Sequence, residues 1–282
     1  MNPFLIDSLL KNALQEDLTW GDITTETLIP ATLQSEMVLL QKANGVVAGL
    51  TVAERAFHLL DDTLDWQQQV VDGQFLNANT ILARIGGKTR SILMAERVAL
   101  NFLQRLSGIA TLTREYASRI KNVSETVKLV DTRKTTPGLR SLEKYAVRTG
   151  GGFNHRYNLS DAVLIKDNHL AVLTANGIDP VTAITDMRRK IPHTTKIELE
   201  VDSIQQLEAF LNLEIDIFLL DNMNSDQLSE AVKIVNGKAY TEASGGITLD
   251  NIEAIAATGV DFISVGALTH SAPALDISLD FA

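Results

Sequence analysis

A chain of 282 residues with 45% apolar and 21% charged side chains has the balance of an ordinary folded protein, which excludes a disordered, collagenous or low-complexity polymer. It contains no cysteine, so disulfide frameworks, thiolate metal sites and a cysteine nucleophile are excluded together, and a reducing compartment suits it. Against 25 basic residues stand 35 acidic ones, a net charge of −10, which argues against nucleic acid or an anionic membrane as the main partner.

The chain opens Met-Asn-Pro-Phe-Leu-Ile-Asp, with no basic leader and no long apolar run, and no stretch approaches the ~20 apolar residues of a membrane span. The expectation is a cytoplasmic protein. Phe4, Leu5, Leu9, Leu10 and Leu14 recur at helical spacing over residues 4–16, until Gly21-Asp22-Ile23-Thr24 interrupts them as a turn. From Ser35 to Arg90 the runs Met37–Leu40, Val46–Ala48, Gln69–Val71 and Thr80–Ala83 are divided by Asn-Gly, Asp-Gly and Gly-Gly pairs, the pattern of small antiparallel strands. Residues 91–121 read as two helices, with Ser107 capping the second and Gly108 breaking the pattern.

Beyond Lys121 the rhythm changes. Six β-rich runs end at Asp131, Lys166, Glu200, Asp221, Ser244 and Gly266, with spacings of 35, 34, 21, 23 and 22 residues, each followed by a helical segment. Such units imply a parallel sheet whose right-handed crossovers close towards a barrel. Six strands are fewer than the eight of a full barrel, so the fold class is α/β with an incomplete barrel.

Barrel enzymes place their chemistry at the C-terminal ends of the strands, and Asp131, Lys166, Glu200 and Asp221 all fall on that rim with both signs of charge. Between Asp131 and Arg156 lie six basic residues, Arg133, Lys134, Arg140, Lys144, Arg148 and Arg156, against Asp131 and Glu143, a positive island fit to focus small anions. Arg140, Lys144 and Arg148 share one helical face and fit a solvated stripe equally well. Arg133 and Lys134 come directly off a strand end, where arginine offers a fork for a carboxylate and lysine a point charge. Gly150-Gly151-Gly152 then delivers His155 and Arg156 close to the same place.

Ser244-Gly245-Gly246 lies between a strand and the helical pattern Leu249, Ile252, Ile255, which places bare N–H groups and a helix N-terminus where a phosphate can sit. Gly266-Ala267-Leu268-Thr269-His270, on the following strand, would complete that cup. Arg97, Asn101 and Arg105 make a narrow polar stripe on an otherwise apolar helix, for which solvent exposure is the simplest reading.

These blocks, in this order, resemble quinolinate phosphoribosyltransferase, a type II phosphoribosyltransferase family. The resemblance runs nearly end to end, through Gly21-Asp22-Ile23-Thr24, Glu96-Arg97, Leu106–Thr111, Asp131-Thr132-Arg133-Lys134-Thr135, Pro137–Arg140, Lys144–Arg148, Gly150–Arg156, Lys166-Asp167-Asn168-His169, Glu198–Asp202, Leu220-Asp221-Asn222, Ser244-Gly245-Gly246 and Val265–His270. It implies an N-terminal α/β sandwich over residues 1–108 and an open α/β barrel over 109–282, with the extreme C-terminus packing back on the sandwich. It also implies a homodimer with shared active sites, and small-molecule substrates. The implied reaction joins quinolinate to phosphoribosyl pyrophosphate with loss of carbon dioxide and pyrophosphate, giving nicotinate mononucleotide for NAD biosynthesis. Carried over by position, Arg97, Thr132, Arg133, Lys134, His155, Arg156 and Lys166 would bind quinolinate, with Arg97 reaching into the partner's site. Lys166, Glu200, Asp221, Ser244, Gly245, Gly246, Gly266 and His270 would bind phosphoribosyl pyrophosphate. Lys134, Glu200 and Asp221 would be catalytic, and Glu200 and Asp221 would hold Mg²⁺ directly or through water. The alternatives are the related molybdenum-cluster pyrophosphorylase paralogue and a non-catalytic sugar-phosphate binding protein.

Overall fold

The computed structural model describes residues 3–282. In chain order its elements are α1 (Pro3–Asp17), α2 (Ile23–Leu28), β1 (Gln34–Gln41), β2 (Gly45–Val46), α3 (Leu50–Leu60), β3 (Asp65–Gln68), β4 (Phe75–Leu76), β5 (Thr80–Lys88), α4 (Thr89–Lys121), β6 (Lys128–Val130), α5 (Arg140–Thr149) and β7 (Val163–Ile165). There follow α6 (Asp167–Ala175), α7 (Pro180–Arg188), β8 (Ile197–Val201), α8 (Ile204–Phe210), β9 (Ile217–Asp221), α9 (Ser225–Val235), β10 (Tyr240–Ser244), α10 (Ile252–Ala256), β11 (Phe262–Ser264), α11 (Ala267–His270) and β12 (Ile277–Phe281). They form two compact units. One comprises the residues up to Arg114 with Thr135–Gly151 and Ala267–Ala282, and the other Glu115–Lys134 with Gly152–Gly266.

The first unit is built on an antiparallel sheet of order β12-β1-β5-β3. The last strand of the chain thus pairs with the first, Leu39 opposite Leu279. Inside α1 the buried stripe is Ile6, Leu10 and Leu14, while Phe4 is 85% exposed, so the apolar face is rotated from the one that its first residues predict. The Gly21–Thr24 turn is also the start of α2: Asp22 caps it by accepting from the Thr25 N–H at 2.9 Å. The run Gln69–Val71 falls just beyond β3 and is loop.

Residues 89–121 form one continuous helix, not two. Ser107 and Gly108 make a notch in it instead of a break. Ser107 is fully buried and its hydroxyl accepts from the Ala48 N–H at 3.0 Å, while a Cβ on Gly108 would run into the Pro273 carbonyl. Close approach of a neighbouring backbone selects small residues there, and in a long apolar helix tertiary packing overrides the local break signal.

Two polar anchors, one half-buried and one buried, tie α5 to this unit. Asp72 accepts from the Gly49 and Leu50 N–H groups at the start of α3, at 2.8 and 3.1 Å, and from the Tyr145 hydroxyl at 2.6 Å. Burial, then Asp72 itself, push that phenol up to about 12. Glu143, fully buried, accepts from Arg105 at 2.9 Å and from the Thr136 hydroxyl and N–H at 2.8 and 3.0 Å. The basic face of α5 is therefore no uniform wet stripe. Lys144 is fully buried and Arg148 is exposed. Arg105 likewise leaves the supposed solvent stripe of α4 to pair inward, while Arg97 and Asn101 remain exposed.

The second unit carries a six-stranded parallel sheet of order β6-β11-β10-β9-β8-β7. Strands β7 to β11 lie in chain order and β6, the first, returns beside β11, so the sheet curls towards closure and stays open between β6 and β7. That is the incomplete barrel read from the spacing. Near-continuous burial along β8, β9 and β10 is the mark of parallel strands covered on both faces. At the open edge the segment after the triple glycine runs alongside β6: Val130 bridges Phe153 in parallel, and the Phe153 N–H donates to the Leu129 carbonyl at 2.8 Å. Among the described residues no helix is long and apolar enough to cross a membrane.

Candidate active site

Parallel strands all deliver their last residues to one rim, and here that rim surrounds a cavity of about 550 Å³. Its wall contains Thr132, Arg133 and Lys134 after β6, His155 and Arg156 from the edge segment, Lys166 after β7, Glu200 on β8, Asp221 on β9, and Ser244, Gly245 and Gly246 at the end of β10. Eleven residues singled out in the sequence are thus brought together within one unit. Gly266 follows β11 in the same unit but is not among the lining residues. Arg97 and His270 belong to the other unit.

The cationic side of the cavity is strained by its own charge. Burial and the adjacent Arg133 both lower the Arg156 guanidinium from its ordinary value, and Glu198 pulls it back. Two guanidinium groups on the wall of one cavity are stabilised by an anion placed between them. Arg156 is oriented by donating to the Ala162 carbonyl at 2.8 Å, and the Lys134 N–H donates to the Thr132 hydroxyl at 3.1 Å, which fixes the turn as it leaves β6. Opposite lie two carboxylates on neighbouring strands. Lys166 Nζ is 3.1 Å from Glu200 Oε2, and Asp221 accepts from the Asn222 amide at 2.6 Å.

The glycine turn differs from its sequence reading in one respect. Helix α10 begins only at Ile252, six residues after Gly246, so no helix N-terminus abuts the turn. The cup is made by the turn itself. Asn222 (φ 55°), Gly245 (φ 88°) and Gly246 (φ 61°) are all left-handed, and a Cβ on Gly245 would strike the Asn222 side chain. Successive N–H groups in such conformations form an anion-binding concavity.

Residues 109–280 match the profile described as "Quinolinate phosphoribosyl transferase, C-terminal domain" and residues 22–107 its "N-terminal domain". The chain belongs to the quinolinate phosphoribosyltransferase family. It is 42% identical, over 98% of its length and 92% of the relative's, to a probable nicotinate-nucleotide pyrophosphorylase [carboxylating] of Synechocystis. It is 40% identical to a protein so described from Bacillus subtilis, over 99% of this chain and 94% of that one. The crystal structure of NadC from Streptococcus pyogenes superposes with a TM-score of 0.92 at 42% identity, covering 99% of this chain and 98% of that one.

Within this family member, sequence reading missed two residues of the site and misplaced a third. Glu198 and Glu242 are buried beneath the cavity, and their Oε1 atoms have no hydrogen-bond partner among the described residues. The available signal was a glutamate inside each of two parallel strands, short of the strand end, where both strand neighbours are buried and ionised side chains are rarely found without a partner. Asp131, read as a rim residue, is wholly buried and accepts from Asn154 Nδ2 at 2.6 Å and the His155 N–H at 2.9 Å, so it pins the edge segment instead of facing the cavity.

Two places offer ligands for a cation. The rim pair Glu200 and Asp221 presents only oxygen donors to an open cavity, the donor set that a hard ion such as Mg²⁺ prefers. Below it, one ligand atom each from His155, Glu198 and Glu242 lie within 4.8 Å of one another.

Proposed function

We propose that this chain transfers the phosphoribosyl group of phosphoribosyl pyrophosphate to quinolinate, releasing pyrophosphate and carbon dioxide and forming nicotinate mononucleotide. The observation that carries this reading is the pairing, in one cavity, of two mutually repelling guanidiniums with a pair of carboxylates and a left-handed glycine turn. Quinolinate brings two carboxylates for Arg133, Arg156, Lys134 and Lys166, with Thr132 and His155 completing that wall. The turn at Ser244, Gly245 and Gly246 receives the 5-phosphate, with Gly266 and His270 assigned to the same substrate by their place in the family pattern.

As the pyridine nitrogen attacks the sugar C1 and pyrophosphate departs, C1 becomes cationic. Glu200 and Asp221, on the wall of the same cavity, would stabilise that charge more in the transition state than in the ground state. The same two carboxylates would hold Mg²⁺, which when bound supplies positive charge to the leaving pyrophosphate. Breaking the bond from ring C2 to its carboxylate then leaves an electron pair beside the ring N⁺. Lys134 stabilises that pair until a proton from solvent replaces the carbon dioxide.

Calorimetric titration tests the dicarboxylate grip. Quinolinate is expected to bind at least tenfold more tightly than nicotinate, because a charge-assisted hydrogen bond contributes about 1.5–3 kcal/mol. Equal affinities, or no pyrophosphate release with quinolinate and Mg²⁺, would reject the reading in favour of a sugar-phosphate binder or the molybdenum-cluster paralogue.

We further propose a homodimer with shared sites in the cytoplasm. The Arg97 side chain is 60% exposed and its ion pair with Glu96 is long at 3.8 Å, so it is available to a second copy. Mixing inactive Arg97→Ala protein with inactive Lys134→Ala protein is expected to restore part of the activity, because one site in each mixed dimer regains both side chains. Absence of recovery in dimers shown to be mixed would remove Arg97 from a shared site.

A further inference from the structure

The open seam of the barrel lies between β6 and β7, and residues 153–162 cross it, since Phe153 bridges Val130 of β6 and Val163 begins β7. One end of this strap is stitched to β6. The Phe153 N–H donates to the Leu129 carbonyl at 2.8 Å, and the Asp131 N–H donates to the Phe153 carbonyl at 3.1 Å. At the other end the Arg156 guanidinium donates to the Ala162 carbonyl, just ahead of β7, at 2.8 Å. The strap carries His155 and Arg156, both on the cavity wall. One buried carboxylate holds the stretch from which they project. Asp131 accepts from Asn154 Nδ2 through one oxygen at 2.6 Å and from the His155 N–H through the other at 2.9 Å. Asn154 Oδ1 in turn accepts from the Tyr157 hydroxyl at 3.2 Å, and the Arg156 N–H donates to His155 Nδ1 at 2.7 Å.

We propose, on the reading of the site given above, that Asp131 and Asn154 are positioning residues for quinolinate. Neither lines the cavity. Their hydrogen bond clasps the strap to β6, and with the His155 N–H bond it fixes the direction in which His155 and Arg156 leave that edge.

Position and charge predict opposite effects here. Neutralising a carboxylate next to the site of a dianion would, by Coulomb's law alone, tighten binding. Acting by position, Asp131→Asn weakens it, because the new amide NH₂ faces another donor, and a strap only partly in place lowers apparent affinity by its competent fraction. Asp131→Asn combined with Asn154→Asp re-forms the clasp with donor and acceptor exchanged. The His155 N–H then keeps an oxygen acceptor at position 131, and the Tyr157 hydroxyl donates to a carboxylate at position 154.

The test pairs two measurements on the full-length protein. In pyrophosphate-release assays, Asp131→Asn is expected to raise KM for quinolinate about tenfold, the worth of one charge-assisted hydrogen bond, with kcat and KM for phosphoribosyl pyrophosphate within about threefold of wild type. The double exchange is expected to recover most of that loss. Hydrogen exchange of the His155 amide, followed by NMR without ligand, is expected to quicken in Asp131→Asn and to slow again in the double exchange. A KM for quinolinate that is unchanged or lower overturns the proposal. So does a loss that falls on kcat, or a double exchange that recovers nothing. Should Asp131→Asn fail to fold, Asn154→Ala removes only the half-buried end of the clasp and must show the same split between KM and kcat. If wild-type protein released no pyrophosphate with quinolinate, the transfer reading would fall, while exchange of the His155 amide would still decide the clasp.

Discussion

Lys134→Ala is expected to lower turnover of quinolinate by about two to three orders of magnitude, the usual loss when one preorganised charge is removed from beside a developing anion. Lys134 is exposed at the mouth of the cavity, so the substitution leaves the core untouched. Arg133 and Arg156 still grip the carboxylates, so the effect should appear in kcat, with KM changed only severalfold. Release of pyrophosphate and of carbon dioxide, followed separately, locates the step. If Lys134 serves the carbanion alone, carbon dioxide release falls further than pyrophosphate release in a single turnover. Equal falls would place it at the transfer step, and unchanged turnover would remove it from the mechanism.

Much of this site was legible because a parallel barrel turns a one-dimensional spacing into a rim. Once strand ends were read at Lys166, Glu200, Asp221 and Ser244, their convergence followed from topology, and the ladder register sets Asp221 opposite Ser244. What stayed hidden depends on partners distant in sequence. Glu198 and Glu242 gain their meaning only from meeting each other and His155. Asp131 looked like a rim charge because nothing local shows that the edge segment at Asn154 and His155 folds back onto it. The Ser107-Gly108 pair carried a true local break signal that was overruled by contacts with Ala48 and Pro273. The turn after β10 shows the reverse case. Its glycines announced an anion cup, but the helical spacing beyond them misplaced the start of α10.

Glu143→Ala is expected to cause the largest loss of stability, about 3–5 kcal/mol, because it leaves the largely enclosed Arg105 charge without its partner. Glu143 is fully buried at the start of α5, and both its oxygens are used. Arg105 and the Thr136 hydroxyl donate to one, at 2.9 and 2.8 Å, and the Thr136 N–H to the other at 3.0 Å. The Arg105 side chain is 26% exposed and also donates to the Ala272 carbonyl at 2.9 Å and to Thr269, so it cannot swing fully into water without breaking those bonds as well. With each kcal/mol worth about 2–4 °C in a chain of this size class, the thermal midpoint should fall by roughly 10 °C. Arg105→Met combined with Glu143→Leu should recover part of the loss, since an apolar pair of similar volume leaves no unpaired charge and retains the packing. If the single variant unfolds within a degree or two of wild type, water reaches Glu143, and the pair is a surface bridge contributing no more than about 1 kcal/mol.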